Sequence, residues 1–244
     1  MRDWGSHLRL WPVALVGLVA DLCSKTLAFE NLTPDKPVIL ISNVLSLHRV
    51  VNPGAMLGIG QGWGLLFVVA SILALVFVLY LFAHSSCKRR SLHVALGLVL
   101  AGALGNLYDR TVHVADAVWA PPSKGSFHLL GGNRVRYCGT LVREDGDTWF
   151  VGAYPDGAPP IQPVSKISEY YLKPTPVVRD FIKIDLKIGS VELWRWVFNI
   201  ADSLLVVGVG MLLLNFWGEH RRAVRLAAAQ AEGTSCADQD ESAS

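Results

Sequence analysis

The chain has 244 residues, of which 52% are hydrophobic and only 17% are charged, and its mean hydropathy is +0.37. Because an average globular protein carries about 25% charged residues, this composition argues against an ordinary soluble domain. The net charge of +2 is too small to indicate a nucleic-acid partner, and the sequence contains no HExxH or CxxC motif. We therefore expect neither a metal site nor another cofactor.

Four apolar segments are long enough to cross a bilayer: Leu8–Phe29, Trp63–Ala83, Leu92–Val112 and Trp194–Trp217. They predict an α-helical membrane protein with four transmembrane helices. Lys and Arg are concentrated before the first segment, between the second and third, and after the fourth, as is typical of short cytoplasmic flanks. We therefore expect both termini in the cytoplasm and residues 30–62 and 113–193 outside it.

The segments outside the membrane carry strand and turn signals. Val38–Ile41 and Val44–Val51 predict short extracytoplasmic β segments within residues 31–62. In residues 113–176, the strand-like pieces Arg134–Arg143 and Thr148–Tyr154 flank Glu-Asp-Gly-Asp, which favours a hairpin. The predicted domains are thus helices one to three (1–112), an inserted β-rich lobe (113–176), a catalytic loop with helix four (177–217), and a cytoplasmic tail (218–244). We expect the tail to be helical at first and disordered at its end.

Polar side chains fall at one depth of the predicted bundle, the outer boundary of the membrane. They end helices one and three and lie at the start of helices two and four: Asp21, Lys25, Asn52, Asn106, Asp109, Arg110, Asn199 and Asp202. Because successive helices run in opposite directions, random placement would scatter these residues between the two leaflets. A charge at membrane depth costs roughly 2.5–3.5 kcal/mol on insertion scales, so such residues indicate a functional site.

Several of these residues also have a purely structural interpretation. Asp21 and Lys25 are four residues apart and can pair on one helix face at the interface. Asp109 and Arg110 are interpreted first as a structural pair that fixes neighbouring backbone. Gly102 and Gly105 form a small-residue patch that lets another helix approach closely.

Two carboxyl groups indicate the chemistry. Asp202 lies near the start of the fourth segment, and Asp180 precedes that segment between apolar residues. Two carboxyls brought together in a low-dielectric site do not both ionise readily, so one retains a proton. The ionised carboxylate can then activate water while the neutral one polarises a carbonyl, which is peptide hydrolysis by an aspartic dyad. The alternative interpretation of Asp180 is an exposed loop carboxylate.

Five sequence blocks, in order, resemble the lipoprotein signal peptidase (signal peptidase II) family, which are four-helix aspartic proteases of the bacterial inner membrane. The blocks are Asp21-x-x-x-Lys25, Asn52-x-Gly54-Ala55, Gly102-Ala-Leu-Gly105-Asn106-Leu-Tyr-Asp109-Arg110, Val178-x-Asp180-Phe181 and Phe198-Asn199-x-Ala201-Asp202. The resemblance implies that Asp180 and Asp202 are catalytic and that prolipoproteins are cleaved before a diacylglyceryl-modified Cys. It implies that the other block residues, Gly54 and Ala201 among them, shape the pocket and bind substrate or membrane lipid. It also implies sensitivity to globomycin, and we expect a monomer.

The chain departs from the family pattern in two places. Met56 and Leu57 stand where an Ala and an aromatic residue are usual, so we expect an altered pocket lining there. About 70 residues separate Arg110 from Asp180, where the family needs only a handful, which makes Asp116 a rival for the first catalytic position. We favour Asp180 because Phe-Ile follows it and the Phe-Asn-x-Ala-Asp block comes soon after.

Two other functions remain open at this point. The buried carboxyls are also compatible with a small proton-coupled transporter or a scaffold, although such proteins typically show internal repeats or helices broken at mid-membrane. Alternatively, the lobe is a binding module on an inactive membrane anchor.

Overall fold

A computed structural model describes residues 4–54, 64–120, 134–167, 169–189, 191–194 and 196–241. Within these ranges the chain forms four helices, α1 Trp4–Asn31, α2 Gly64–Ala83, α3 Arg90–Val112 and α4 Ile200–Glu241. Each helix includes a stretch that is long and apolar enough to cross a membrane, which confirms the predicted multi-pass membrane protein. The predicted first residue of the second segment, Trp63, lies outside the described residues.

The fourth helix differs from the prediction at both ends. It begins at Ile200 instead of Trp194, because Val197–Phe198 (β11) pair with another strand and Asn199 then caps the helix. It continues to Glu241, so the expectation of a disordered end to the tail is wrong up to that residue. Apolarity alone could not separate this short strand from the helix that follows it.

Helix α3 is the central helix of the bundle and packs against α1, α2 and α4. Its small residues allow this close packing. A Cβ atom at Gly102 would meet the backbone oxygen of Ala201, and one at Gly105 would meet the carboxylate of Asp21. The predicted small-residue patch therefore lies where α1 and α4 approach α3 most closely.

A four-stranded antiparallel sheet lies where the helices end. Its strand order is β1-β2-β8-β11, with β1 Val38–Ile41, β2 Leu45–Asn52 and β8 Val178–Ile184. The prediction of the first two strands is confirmed, whereas β8 was not predicted. In the register of β2 with β8, Val50 lies opposite Asp180 and Asn52 lies opposite Val178. The sheet therefore brings two sequence blocks together that are more than a hundred residues apart.

A second antiparallel sheet, here called the lobe, contains five strands in the order β6-β5-β4-β3-β7. Their bounds are β3 Val114–Ala120, β4 Arg134–Asp145, β5 Thr148–Ala153, β6 Ala158–Ser165 and β7 Tyr171–Pro176. The predicted β4–β5 hairpin is confirmed, and Gly146 has the positive φ of +49° that its turn requires. The edge strands β6 and β7 escaped prediction because both contain prolines, which sheets tolerate at their edges.

The first and last residues of the lobe lie next to each other. Its first strand β3 pairs with its last strand β7, so that Val114 lies opposite Pro176. The N–H of Val177 donates to the backbone oxygen of His113 at 3.1 Å. Asp180 therefore lies close to the end of α3, although about 70 residues separate them in the sequence. A short hairpin, β9 Lys187–Ile188 with β10 Val191–Glu192, precedes β11.

Candidate active site

Asp180 projects from β8 and is buried, with 1% of its surface exposed. Both carboxylate oxygens accept amide hydrogen bonds. Asn52 Nδ2 donates to Oδ2 at 2.9 Å, and Asn199 Nδ2 donates to Oδ1 at 2.7 Å. Burial, followed by the charge of Asp202, raises the pKa of Asp180 to about 8. At neutral pH this carboxyl therefore holds a proton.

Asp202 lies in the first turn of α4 and forms a capping box with Asn199. The backbone N–H of Asp202 donates to Asn199 Oδ1 at 2.9 Å, and the backbone N–H of Asn199 donates to Asp202 Oδ2 at 3.3 Å. Asp21 from α1 accepts the next free N–H of this helix end, that of Ala201, at 2.7 Å. The Asn-x-x-Asp spacing of residues 199 and 202 is itself a helix-start signal.

Two asparagines connect the two aspartates. Asn106 Nδ2 donates to Asp202 Oδ1 at 2.8 Å, and Asn106 Oδ1 accepts from Asn199 Nδ2 at 3.2 Å. Because Asn199 Nδ2 also donates to Asp180, the two carboxyls are joined by a continuous chain of amides. Asp180 and Asp202 thus belong to one site.

Lys25 is a buried cation that contacts this network. Its side chain is fully buried, and its Nζ lies 2.8 Å from Asp21 Oδ2 and 3.4 Å from Asp109 Oδ2. It also donates to Asn106 Oδ1 at 3.1 Å. The predicted Asp21–Lys25 pair therefore exists, and it is buried inside the bundle, where Lys25 also links α1 to α3.

Arg179 is a site residue that the sequence analysis missed. Its backbone N–H donates to Asp109 Oδ2 at 2.9 Å, and its guanidinium Nη2 lies 2.9 Å from Asp109 Oδ1. Asp109 therefore holds the strand immediately before Asp180 through both backbone and side chain. The structural Asp-Arg pair expected at the end of α3 is therefore made by Asp109 with Arg179 and not with the adjacent Arg110.

Arg110 points elsewhere in the same site. Its guanidinium donates to the backbone oxygen of Gly54 and lies 4.9 Å from the ring centroid of Phe67. Its Nη1 is buried and has no hydrogen-bond partner among the residues that the structure describes. Ala55, Met56 and Leu57 lie outside the described residues, so the altered pocket lining expected at 56 and 57 stays a prediction.

Asp116, the rival candidate, lies in the lobe. It belongs to β3, where its Oδ2 accepts the backbone N–H of Leu141 at 2.8 Å. In the described part of the chain it is Asp180, and not Asp116, that is bound to the amide of Asn199.

Comparisons with known proteins identify similar chains. Residues 13–218 match the family described as signal peptidase (SPase) II. A lipoprotein signal peptidase of Streptomyces griseus is 38% identical over 145 residues, which cover 55% of this chain and 70% of the relative. One of Rhodopirellula baltica is 28% identical over 207 residues, covering 83% of this chain and 68% of the relative. The chain spans 66% and 52% of the length of the relatives from Clostridium novyi and Rhodococcus jostii.

A solved structure is similar in fold. It is described as a bacterial membrane enzyme studied by the in meso method at 2.3 Å resolution, and it matches with a TM-score of 0.54. The match covers 88% of both chains at 21% sequence identity. At that level of identity the likeness concerns the fold alone.

Proposed function

The chain belongs to the signal peptidase II family, and on that premise we propose that it is an aspartic endopeptidase that removes signal peptides from prolipoproteins. The proposed cleavage site is the bond before the diacylglyceryl-modified Cys. The observation that carries this proposal is the pair of carboxyls, Asp180 and Asp202, joined by the amides of Asn199 and Asn106.

Asp180 is proposed as the acid of the pair. Both of its oxygens accept amide N–H groups, from Asn52 and Asn199, so the proton of its neutral form is left for a substrate oxygen. A pKa of about 8 keeps that proton in place at neutral pH. Neutral Asp180 can therefore polarise the scissile carbonyl.

Asp202 is proposed as the base. It accepts from Asn106 and from a backbone N–H, and it lies at a helix N-terminus, where the dipole favours negative charge. It takes a proton from water as the water oxygen attacks the scissile carbonyl, whose oxygen receives the proton of Asp180. The tetrahedral diol then collapses: the C–N bond breaks and the leaving nitrogen takes up the proton held by Asp202. One diol hydroxyl returns its proton to Asp180 as the new C=O bond forms, so both carboxyls regain their starting protonation states.

Arg110 is proposed to bind substrate. Its buried Nη1 has no hydrogen-bond partner among the described residues, and a buried donor of this kind is costly unless a ligand supplies an acceptor. A carbonyl oxygen of the substrate backbone is a suitable acceptor. The same role is proposed for the three asparagines of the site, which also orient the carboxyls: Asn52, Asn106 and Asn199. Three charged residues of α1 and α3 form ion pairs that support the site: Asp21, Lys25 and Asp109.

The remaining assignments follow the same premise. The enzyme is proposed to lie in the bacterial inner membrane as a monomer, with both termini in the cytoplasm and the lobe, an insertion at 113–176, outside. The transporter interpretation is not favoured, because the charged network lies at one end of the helices. Prolipoproteins with their diacylglyceryl group, together with membrane lipid, are the expected partners.

Cleavage of a purified diacylglyceryl-modified prolipoprotein tests the proposal. Asp180→Asn and Asp202→Asn are expected to abolish cleavage, because each removes one member of the acid–base pair while keeping the side-chain shape. Asp116→Asn is the matched control, since Asn retains an oxygen that can accept from Leu141. Full activity of either dyad variant, or loss of activity only at position 116, would contradict this assignment.

A further inference from the structure

One turn of the lobe contacts the elements that carry the proposed active site. Residues Tyr154, Asp156 and Gly157 belong to the connection between β5 and β6. The Tyr154 ring packs against a buried cluster that includes Phe29 of α1 and Phe181 of β8. From this position the turn makes two sets of polar contacts with the elements that carry the proposed dyad.

The first set of contacts is with Arg49 of β2. Arg49 Nε donates to the backbone oxygen of Tyr154 at 3.0 Å, and Arg49 Nη2 lies 2.8 Å from Asp156 Oδ1. The Arg49 side chain is buried, and its guanidinium lies 5.5 Å from the ring centroid of Phe29. Arg49 directly precedes Val50, which lies opposite Asp180 in the sheet. The turn therefore holds β2 close to the point where that strand faces the acid.

The second set of contacts is with His113 at the end of α3. The Tyr154 hydroxyl lies 2.9 Å from His113 Nδ1, and His113 Nε2 lies 3.8 Å from Asp109 Oδ1. Asp109 in turn holds the backbone and side chain of Arg179, next to Asp180. The 3.8 Å separation of His113 from Asp109 is longer than a hydrogen bond, but the backbone oxygen of His113 accepts the N–H of Val177, the residue before β8, at 3.1 Å. The polar connection from the Tyr154 hydroxyl to β8 therefore runs through His113.

The protonation of His113 determines the direction of these bonds. Burial, followed by the charge of Arg179, lowers the pKa of His113, so its ring is neutral at pH 7. A neutral imidazole has one donor and one acceptor nitrogen. We assign the ring hydrogen to Nε2, which faces the Asp109 carboxylate at 3.8 Å, so that Nδ1 accepts from the Tyr154 hydroxyl.

We propose that the Tyr154 turn is a positioning element of the active site, which sets the placement of β8 relative to β2 and so of Asp180 relative to Asn52. Tyr154 and His113 are positioning residues and act through the backbone of Val177, which leads into the strand that Asp109 holds at Arg179. The consequence for catalysis rests on the proposed peptidase function. The lobe is then an integral part of the catalytic unit and not a separate binding module.

The test removes one hydroxyl group from the full-length protein. Tyr154→Phe deletes the donor to His113 and keeps the packed ring. Tyr171→Phe deletes a hydroxyl in the same lobe, on an exposed ring that stacks on Trp119, and serves as the matched control. Hydrogen exchange of the β8 amides is measured on wild type and both variants in detergent, together with kcat and KM for a diacylglyceryl-modified prolipoprotein.

Exchange at Arg179 in Tyr154→Phe is expected to be faster by about tenfold, the effect of losing one ordinary hydrogen bond on a local opening equilibrium. The same variant is expected to lose kcat by about tenfold with KM nearly unchanged, since the proposed change displaces the acid and leaves the substrate pocket. Tyr171→Phe is expected to match wild type in both measurements.

Unchanged exchange in β8 of Tyr154→Phe would overturn the proposal, whatever the activity. Equal losses of kcat in both Tyr variants would also overturn it, because they would reflect a general weakening of the lobe. A further outcome is that wild type shows no cleavage of the prolipoprotein while the β8 amides still exchange faster in Tyr154→Phe than in wild type. That result would support the positioning role and contradict the proposed function. Faster exchange in β8 of Tyr154→Phe with an unchanged kcat would show that the contact is structural only. This result would also overturn the proposal.

Discussion

Replacing the proposed acid should stabilise the protein in a manner that depends on pH. Asp180 has a folded-state pKa of about 8 against an ordinary value of 3.8, so the folded protein binds a proton that the unfolded chain releases. A raised carboxyl pKa contributes its full stability below about pH 4, and that contribution is lost as the pH rises toward 8. Asp180→Asn, which cannot ionise, removes this loss.

The magnitude follows from the two pKa values. At about 1.4 kcal/mol per pH unit, ionisation of the unfolded chain lowers the free energy of unfolding by roughly 1.5 kcal/mol at pH 5 and by on the order of 5 kcal/mol at pH 8. The advantage of Asp180→Asn over wild type should therefore grow by roughly 4 kcal/mol between these pH values. The Asn side chain places an NH2 group opposite the amide of Asn52 or Asn199, which costs about 1 kcal/mol at every pH.

Thermal unfolding in detergent, followed by the fluorescence of the eight tryptophans, measures this difference at pH 5 and pH 8. Asp116→Asn is the control, because it makes the same chemical change in the lobe. We expect the stability of Asp180→Asn relative to wild type to rise with pH by clearly more than that of Asp116→Asn, because Asp180 is fully buried and Asp116 is only half-buried. A difference between Asp180→Asn and wild type that is the same at both pH values would refute the reasoning, since it would mean that Asp180 ionises normally in the folded protein.

Two further predictions concern activity and helix packing. The rate of prolipoprotein cleavage should fall by about tenfold per pH unit above pH 8, because loss of the Asp180 proton removes the acid; a flat profile up to pH 10 would contradict the assigned pKa. Gly105→Ala should lower the free energy of unfolding by about 1–3 kcal/mol, because its Cβ would collide with the Asp21 carboxylate that binds the N–H of Ala201. Gly210→Ala, whose Cβ would meet nothing within 4 Å, is the control, and equal melting temperatures for the two variants would show that α3 does not approach α1 and α4 as described.

The length of the apolar segments was enough to predict the four membrane helices, because a bilayer imposes a minimum span on any helix that crosses it. The common depth of Asp21, Asn106 and Asp202 likewise followed from the order of the helices and their alternating directions. The hairpin at Gly146 was predicted from local turn chemistry, which acts between neighbours in the chain. These features were predictable because each depends on a residue's own surroundings in the sequence.

Other features were decided by contacts between distant segments. Arg179 has no distinguishing local pattern, and its importance arises because Asp109, 70 residues earlier, accepts both its N–H and its guanidinium. The choice between Asp116 and Asp180 likewise depends on the pairing of β3 with β7, which returns the chain to the end of α3. The start of α4 at Ile200 depends on β11 pairing with β8. The sequence determined which segments are long and apolar enough to cross a membrane and which charged residues they carry. Only long-range pairing determined which carboxyl is joined to Asp202 through amide side chains and what holds it there.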